Sequence, residues 1–266
     1  MFLFQDIVTL THDSMAKMCT EKKLLFRHAE KVVAFSSICE ANSLLAPHFK
    51  LNFFKIPVCF LTMSKAIALL SGGIDSPVAI YLLQSQLDII AVHFHQQPLT
   101  DEKEIEKVKA LATVLKIRKL YLIPFTPVLK ELVTNCNHRD YFVLSKIAMF
   151  KTAEIIAAKE KADYLITGEN LGQVSSQTLS NMTSITKNLS LEVLRPLLTF
   201  DKQETIEIAK KIGTYDISKG PEMCCLLGPK RPSTKSDYSK ISEELESVPL
   251  QKLLEESLQK AEIFWQ

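Results

Sequence analysis

This sequence predicts a doubly wound α/β fold built around a parallel sheet, on three observations. From Ala66 onward, short apolar runs of strand character alternate with longer amphipathic stretches. The first run, 66–70, leads straight into the polar hexapeptide Ser71-Gly72-Gly73-Ile74-Asp75-Ser76 and then into the helix-forming Pro77-Val78-Ala79-Ile80-Tyr81-Leu82-Leu83. The 266 residues are 47% hydrophobic and 23% charged, which suits one ordinary core with some appended material. Such a sheet binds ligands at the carboxyl ends of its strands, where the strand order reverses, and the first strand with its loop is expected at that point.

Residues 1–62 differ from the rest. They hold eight of the fourteen phenylalanines and three of the six cysteines but none of the seven glycines, and their apolar positions keep neither period for long. An irregular N-terminal segment is expected there. It reads either as a small accessory or docking element or as sequence ahead of a natural start at Met63, because Met63-Ser64-Lys65 enters the first strand directly.

The alternating body is expected over 63–235. Pro77 suits a first helical turn, where no N–H donor is needed. Residues 88–94 read as a buried strand on Ile89, Ile90, Ala91 and Val92, 102–115 as an amphipathic helix and 119–123 as a strand. A long helix is expected over 140–159, strands over 162–167 and 192–194, and a helix over 202–212 that Gly213 stops. In the tail, 236–266, residues 239–263 read as a single charged amphipathic helix packing Leu245, Leu250, Leu253 and Leu254 on the body.

The net charge of +2, from 32 basic and 30 acidic residues, does not indicate a strongly basic nucleic-acid binder, although local basic patches stay open. No run approaches the roughly 18 apolar residues of a membrane span, and Asp6 breaks the short apolar stretch that a signal peptide would need. The expected chain is soluble and cytoplasmic, with no membrane partner. Six cysteines without regular spacing argue for thiols in a reducing compartment rather than a disulfide framework.

The hexapeptide has the chemistry of a phosphate site. Gly72 and Gly73 let the backbone approach an anion, while loop N–H groups and the Ser71 and Ser76 hydroxyls can surround its oxygens at the positive end of the helix dipole. The plainer reading is a strand–turn–helix connection with Ser76 as N-cap. Neither the Gly-x-x-x-x-Gly-Lys spacing of a Walker loop nor Gly-x-Gly-x-x-Gly is present.

The loop instead resembles the PP-loop of ATP pyrophosphatases, whose fold is of the adenine nucleotide alpha hydrolase type. Three further segments extend the match in order: Ile166-Thr167-Gly168-Glu169-Asn170-Leu171-Gly172-Gln173-Val174-Ser175-Ser176-Gln177-Thr178-Leu179, then Leu194-Arg195-Pro196-Leu197-Leu198-Thr199-Phe200-Asp201-Lys202, then Ile212-Gly213-Thr214-Tyr215-Asp216 leading to Pro221-Glu222-Met223-Cys224-Cys225. Together they resemble the catalytic domain of the tRNA 4-thiouridine synthetase (tRNA sulfurtransferase) family, over about residues 65–234.

The resemblance implies activation of a uridine C4 oxygen in tRNA as an adenylate, at the expense of ATP with Mg2+, followed by replacement of that oxygen by sulfur. It implies that Leu69 and Leu70 contact the nucleotide through their backbone, that Ser71, Gly72, Gly73 and Ser76 cradle phosphate, and that Asp75 helps position magnesium and pyrophosphate. His93 and Phe94 would border the adenine. Lys146 corresponds to a basic position on the long helix, Gly168 and Gln177 to a nucleotide-binding glycine and glutamine, Lys202 to a lysine that neutralises phosphate charge, and Cys224 to the sulfur-handling cysteine.

Each residue also has an ordinary structural reading. His93 suits a satisfied core histidine, Leu69 and Leu70 belong to the core in any case, Lys146 and Lys202 suit solvated helix lysines, and Gln177 or Ser175 could cap the following helix. Cys224 and Cys225 could be buried thiols, but Gly220-Pro221 and Pro229 to Pro232 predict a loop in which a thiol is accessible.

The chain also departs from the pattern. Residues 1–62 are too short and irregular for the family's THUMP-type RNA-binding domain, no rhodanese domain is expected within the 266 residues, and Phe142-Val143-Leu144-Ser145 stands where many archaeal members carry Cys-x-x-Cys. Cys136, Cys224 and Cys225 could supply three thiols to an iron–sulfur cluster but lack the paired spacing, and no metal held by protein ligands is expected. The implied partners are tRNA, bound with help from another RNA-binding subunit, and a sulfur donor protein or sulfide, with a homodimer left open. The alternatives are a non-catalytic nucleotide-binding module and a PP-loop enzyme that thiolates or amidates a small molecule.

Overall fold

Alternation along the strands creates two buried layers. In β1 (Lys65–Leu69) Ile67 faces one side of the sheet while Ala66 and Ala68 face the other. The same alternation runs through β2 (Asp88–His95), with Ile90, Val92 and Phe94 against Ile89 and Ala91, and through β3 (Lys119–Pro124), with Tyr121 and Ile123 against Leu120 and Leu122. The computed structural model describes residues 63–220 and 227–266; the readings made for residues 1–62 and for Cys224 and Cys225 lie outside the described residues.

β1 pairs in parallel with β2 and with β4 (Tyr164–Ile166), β2 with β3, and β4 with β5 (Glu192–Leu194). With a last strand, β6 (Glu262–Trp265), at one edge, the sheet order is β5-β4-β1-β2-β3-β6. After β3 the chain returns to the far side of β1, so the reversal of strand order falls between β1 and β4. One face is covered by α1 (Asp75–Leu83), α2 (Glu102–Val114) and α6 (Lys202–Lys211) through residues such as Ile80, Leu111 and Ala209. The other is covered by α3 (Thr126–Asn135) and α4 (Tyr141–Glu160), with Phe125, Leu132, Phe150 and Ile156 fully buried. Each such side chain contributes about 1.5–3 kcal/mol of transfer free energy.

Helix ends follow local chemistry. Asp101 caps α2, Asp201 and Glu204 form a capping box on α6, and Gly213 at φ +76° ends the α6 turn in the left-handed region that glycine tolerates. α5 (Leu179–Thr186) starts on the Thr178 hydroxyl, so neither Gln177 nor Ser175 caps it. A four-residue helix, α7 (Tyr215–Ser218), follows α6.

The single helix expected over 239–263 is instead three elements: α8 (Tyr238–Glu246), α9 (Leu250–Gln259) and β6 (Glu262–Trp265). Pro249 removes a helical donor and restricts Val248 before it, which breaks the helix. Leu250 and Leu254 are buried, and Leu245 and Leu253 pack partly buried against the same core. β6 pairs antiparallel with β3 and covers a parallel edge that would otherwise be open. No described helix is long and apolar enough to cross a membrane.

Candidate functional site

The loop after β1 is closed by its own serines. The Ser71 N–H donates to Ser76 Oγ at 2.9 Å, the two hydroxyls are 3.0 Å apart, and the Gly73 N–H donates to Ser71 Oγ at 3.3 Å. From outside the loop, Ser218 Oγ donates to the Gly73 carbonyl at 3.1 Å. Ser76 is therefore not the N-cap of α1; Ile74 is, and it offers no side-chain cap. The first-turn N–H groups are left to a ligand or water, with the dipole favouring an anion.

Gly168, two residues beyond β4, comes flat against this helix start. A Cβ there would lie 2.7 Å from the Ser76 nitrogen and 2.8 Å from the Asp75 carbonyl carbon. The resemblance assigned this glycine to nucleotide binding; its first consequence in the fold is to let the backbone after β4 close on the loop after β1.

At the mouth of the loop, Lys202 Nζ donates to Asp75 Oδ1 at 2.7 Å and Gln173 Nε2 to Asp75 Oδ2 at 3.1 Å. Lys202 opens α6, so the capping box that starts the helix also sets its height above the sheet. Deeper in, the buried Glu169 carboxylate takes Lys146 Nζ at 2.5 Å, Arg195 Nε at 2.8 Å and Thr167 Oγ1 at 3.2 Å. Burial alone pushes the Glu169 carboxyl upward, but the Lys146 and Arg195 cations outweigh it and hold it below the usual carboxylate range. Lys146 is thus an ion-paired lysine at the cleft rather than a solvated one.

Asp75, Gln173, Lys146, Glu169 and Thr167 line one cleft of about 580 Å³ at the β1/β4 reversal, whereas Lys202 and Arg195 stand behind it on Asp75 and Glu169 and Gly72 lies outside its lining. Leu69, Leu70, Ser71, Gly73, Asp75, Ser76, His93, Phe94, Lys146, Gly168 and Gln177 all reach it, while Phe94, Leu129, Met149 and Phe150 make its apolar wall. Phe94 packs on Phe125 with ring centroids 4.6 Å apart. Gln177 Oε1 is buried with no hydrogen-bond partner among the described residues, an acceptor suited to a donor on a ligand.

His93 is the core histidine of the plainer reading as well as a cleft residue. Its Nδ1 lies 2.9 Å from the Leu70 carbonyl, which can only accept, so Nδ1 carries the proton. Burial pushes its pKa down to about 4, against the smaller upward effect of that hydrogen bond, and the ring is neutral near pH 7. Nε2 faces Glu104 Oε1 at 3.8 Å.

Glu169, Arg195 and Gln173 were not singled out from sequence, although all three lie in the matched segments. One signal was present: an acid three residues after a buried strand must find cations, and Lys146 and Arg195 stand at the same end of the sheet. Cys136 is half-buried and its thiol is pushed up to about 11 by burial and by Glu244 and Glu131, which makes it a poor thiolate.

A parallel sheet with an open helix start at its topological reversal, closed by a serine-lined loop and an acid–lysine pair, defines a PP-loop α/β protein. The sequence profile described as "Thiamine biosynthesis protein (ThiI)" matches residues 61–250, and the chain belongs to that family. Among curated relatives, the probable tRNA sulfurtransferase of Moorella thermoacetica is 43% identical over 206 residues, covering 75% of this chain and 53% of that protein. That of Coxiella burnetii is 44% identical over 206 residues, covering 74% and 52%. A crystal structure described as a 4-thiouridine synthetase–RNA complex with bound ATP superposes with a TM-score of 0.72 at 37% identity, over 76% of this chain and 55% of that one. The chain spans about half the length of the curated relatives it matches.

Proposed function

We propose that this chain is an ATP-dependent tRNA sulfurtransferase that forms 4-thiouridine, with AMP and pyrophosphate as its other products. The observation that carries the reading is convergence: groups from SGGIDS and from the Gly168–Gln177 segment line one cleft, with Arg195 and Lys202 bonded to its Glu169 and Asp75, in a chain 37% identical to a 4-thiouridine synthetase with bound ATP.

The chemistry follows from the residue types. The uridine C4 oxygen attacks the α-phosphorus of ATP and the bond to pyrophosphate breaks, converting a poor leaving group into AMP. A sulfur nucleophile then adds at C4 and AMP departs. Loop N–H groups and Lys202 hold the negative charge on the phosphates, and Glu169 keeps Lys146 and Arg195 ordered in the wall. The apolar wall at Phe94 suits a base, and Gln177 Oε1 suits its amino group.

Asp75 is the residue to share in holding Mg2+, which would neutralise and orient the phosphates. The fit is of the usual kind, since Mg2+ needs only one or two carboxylates beside substrate oxygens, and among the described residues no cluster of three or more His, Cys, Asp or Glu side chains could hold a metal. Cys224 is the sulfur-handling thiol in this reading, and the reaction belongs in the cytoplasm. tRNA is bound with help from another RNA-binding subunit, sulfur comes from a donor protein or sulfide, and a homodimer fits the reading.

The test is pyrophosphate release from ATP in the presence of unmodified tRNA, with nucleoside mass spectrometry of the product. Asp75→Ala is expected to abolish release while leaving the fold intact, because a half-exposed loop carboxylate contributes little to the core. Unchanged release in Asp75→Ala sinks this mechanism. The family's description as a thiamine biosynthesis protein favours, as second reading, sulfur delivery to a small molecule; loss of thiamine synthesis with intact tRNA 4-thiouridine in cells lacking the chain would select it.

A further inference from the structure

We propose that Lys107, on α2, is a phosphate-binding residue at the loop after β1, beside the cleft, its ammonium contacting the pyrophosphate portion of the bound nucleotide; this rests on the nucleotide reading above. Two observations carry it. The first concerns Gly72. Its backbone does not take the left-handed conformation that favours glycine, so what stands beside it is the informative feature. That neighbour is Lys107: from the point a Gly72 Cβ would occupy, Lys107 Cδ is 3.2 Å away, Cε 3.6 Å and Nζ 3.7 Å. The lysine lies across the loop whose N–H groups form the anion cradle.

The second observation is the charge left over. Lys107 is half-buried, and among the described residues it has no carboxylate or hydrogen-bond partner. Glu104, one turn earlier on the same helix, faces His93 instead. The other cations of the site each have a carboxylate partner, Lys202 on Asp75 and Lys146 and Arg195 sharing Glu169. An ammonium held beside an anion cradle without a counter-charge suits a ligand that brings several negative oxygens, as pyrophosphate does. Its position is set by the fold, because Val108, Leu111 and Ala112 bury the next turn of α2 against the sheet.

The experiment measures binding of inorganic pyrophosphate and of ATP, both with Mg2+, and of adenosine, to the full chain by calorimetry. Lys107→Met keeps the aliphatic packing and removes the charge; Lys107→Arg restores a charge. Lys107→Met is expected to weaken pyrophosphate and ATP about ten- to a hundredfold, the range of a hydrogen bond to a charged group, with adenosine binding unchanged and Lys107→Arg recovering most of the loss. Equal pyrophosphate affinity in wild type and Lys107→Met overturns the assignment while the nucleotide reading stands. A Lys107→Met protein that loses adenosine as steeply as pyrophosphate also overturns it, because the residue would then only shape the fold. A wild-type chain that binds neither ATP nor pyrophosphate overturns the nucleotide reading and this assignment with it.

Discussion

Gly168→Ala tests the central geometric feature of the site, the contact between the chain after β4 and the start of α1. The new Cβ would sit 2.7 Å from the Ser76 nitrogen and 2.8 Å from both Ser76 Cα and the Asp75 carbonyl carbon, where ordinary contact begins at 3.4 Å. All three atoms are backbone of a helix start, so no side chain can rotate away, and the two segments must part by about 0.7 Å. Forcing one carbon into packed surroundings costs about 1–3 kcal/mol. A body of this size then melts about 2–4 °C lower for each kcal/mol. The displaced groups are the N–H donors facing the anion, and a shift of this size takes a hydrogen bond out of its favourable 2.7–3.2 Å range. ATP affinity is therefore expected to fall about tenfold or more alongside the melting temperature. Thermal unfolding and calorimetric titration with ATP and Mg2+ make the measurement. Gly72→Ala is the internal contrast, because its three nearest neighbours all belong to the flexible Lys107 side chain, which can give by a few tenths of an ångström, and it should stay within about 0.5 kcal/mol of wild type in stability. A Gly168→Ala protein that melts with the wild type and binds ATP equally well refutes the argument from close approach.

His93 sets a pH dependence of stability. Its folded pKa of about 4 lies below the ordinary 6.5, so between those values the unfolded chain takes up a proton that the native chain refuses. The stability it confers is complete above pH 6.5 and is lost as pH falls toward 4, by up to about 3 kcal/mol. His95, also lowered by burial, acts with the same sign. His93→Gln should flatten the decline in unfolding free energy between pH 7 and pH 5 measured by denaturant titration, and an unchanged slope would count against a neutral buried imidazole. Cys224→Ser is expected to retain pyrophosphate release but lose thionucleoside formation, with Cys225→Ser close to wild type. Thiolation at the wild-type rate by Cys224→Ser supplied with sulfide would show that an external sulfur species attacks the adenylate directly.

Local pattern was enough for much of this protein. The alternation that makes β1, β2 and β3, the Gly213 stop of α6 and the strand–loop–helix at Ser71–Ser76 are read from neighbours a few residues apart, because periodicity and turn chemistry are short-range. The family was legible for a related reason: its motifs are contiguous strings. Pro249 was a local signal too, and it outranks the amphipathic pattern that suggested one helix through it.

Other features depended on distance through space. β6 covers β3 only because the chain end is carried back across the sheet, and nothing within Glu262–Trp265 states that partner. Residues 26 to 127 positions apart meet in the site: Arg195 finds Glu169, Lys202 finds Asp75, and Lys107 lies over Gly72. Which lysine is paired and which is left for a ligand is a matter of distances of 3–4 Å between side chains of different elements, and the one-dimensional order of residues does not contain those distances. The sequence by itself determined the five parallel strands, the helices over 102–115, 140–159 and 202–212, the loop and the family. Tertiary structure alone decided the ion-paired wall, the neutral His93 and the unpartnered Lys107, because charge and burial act through space and not along the chain.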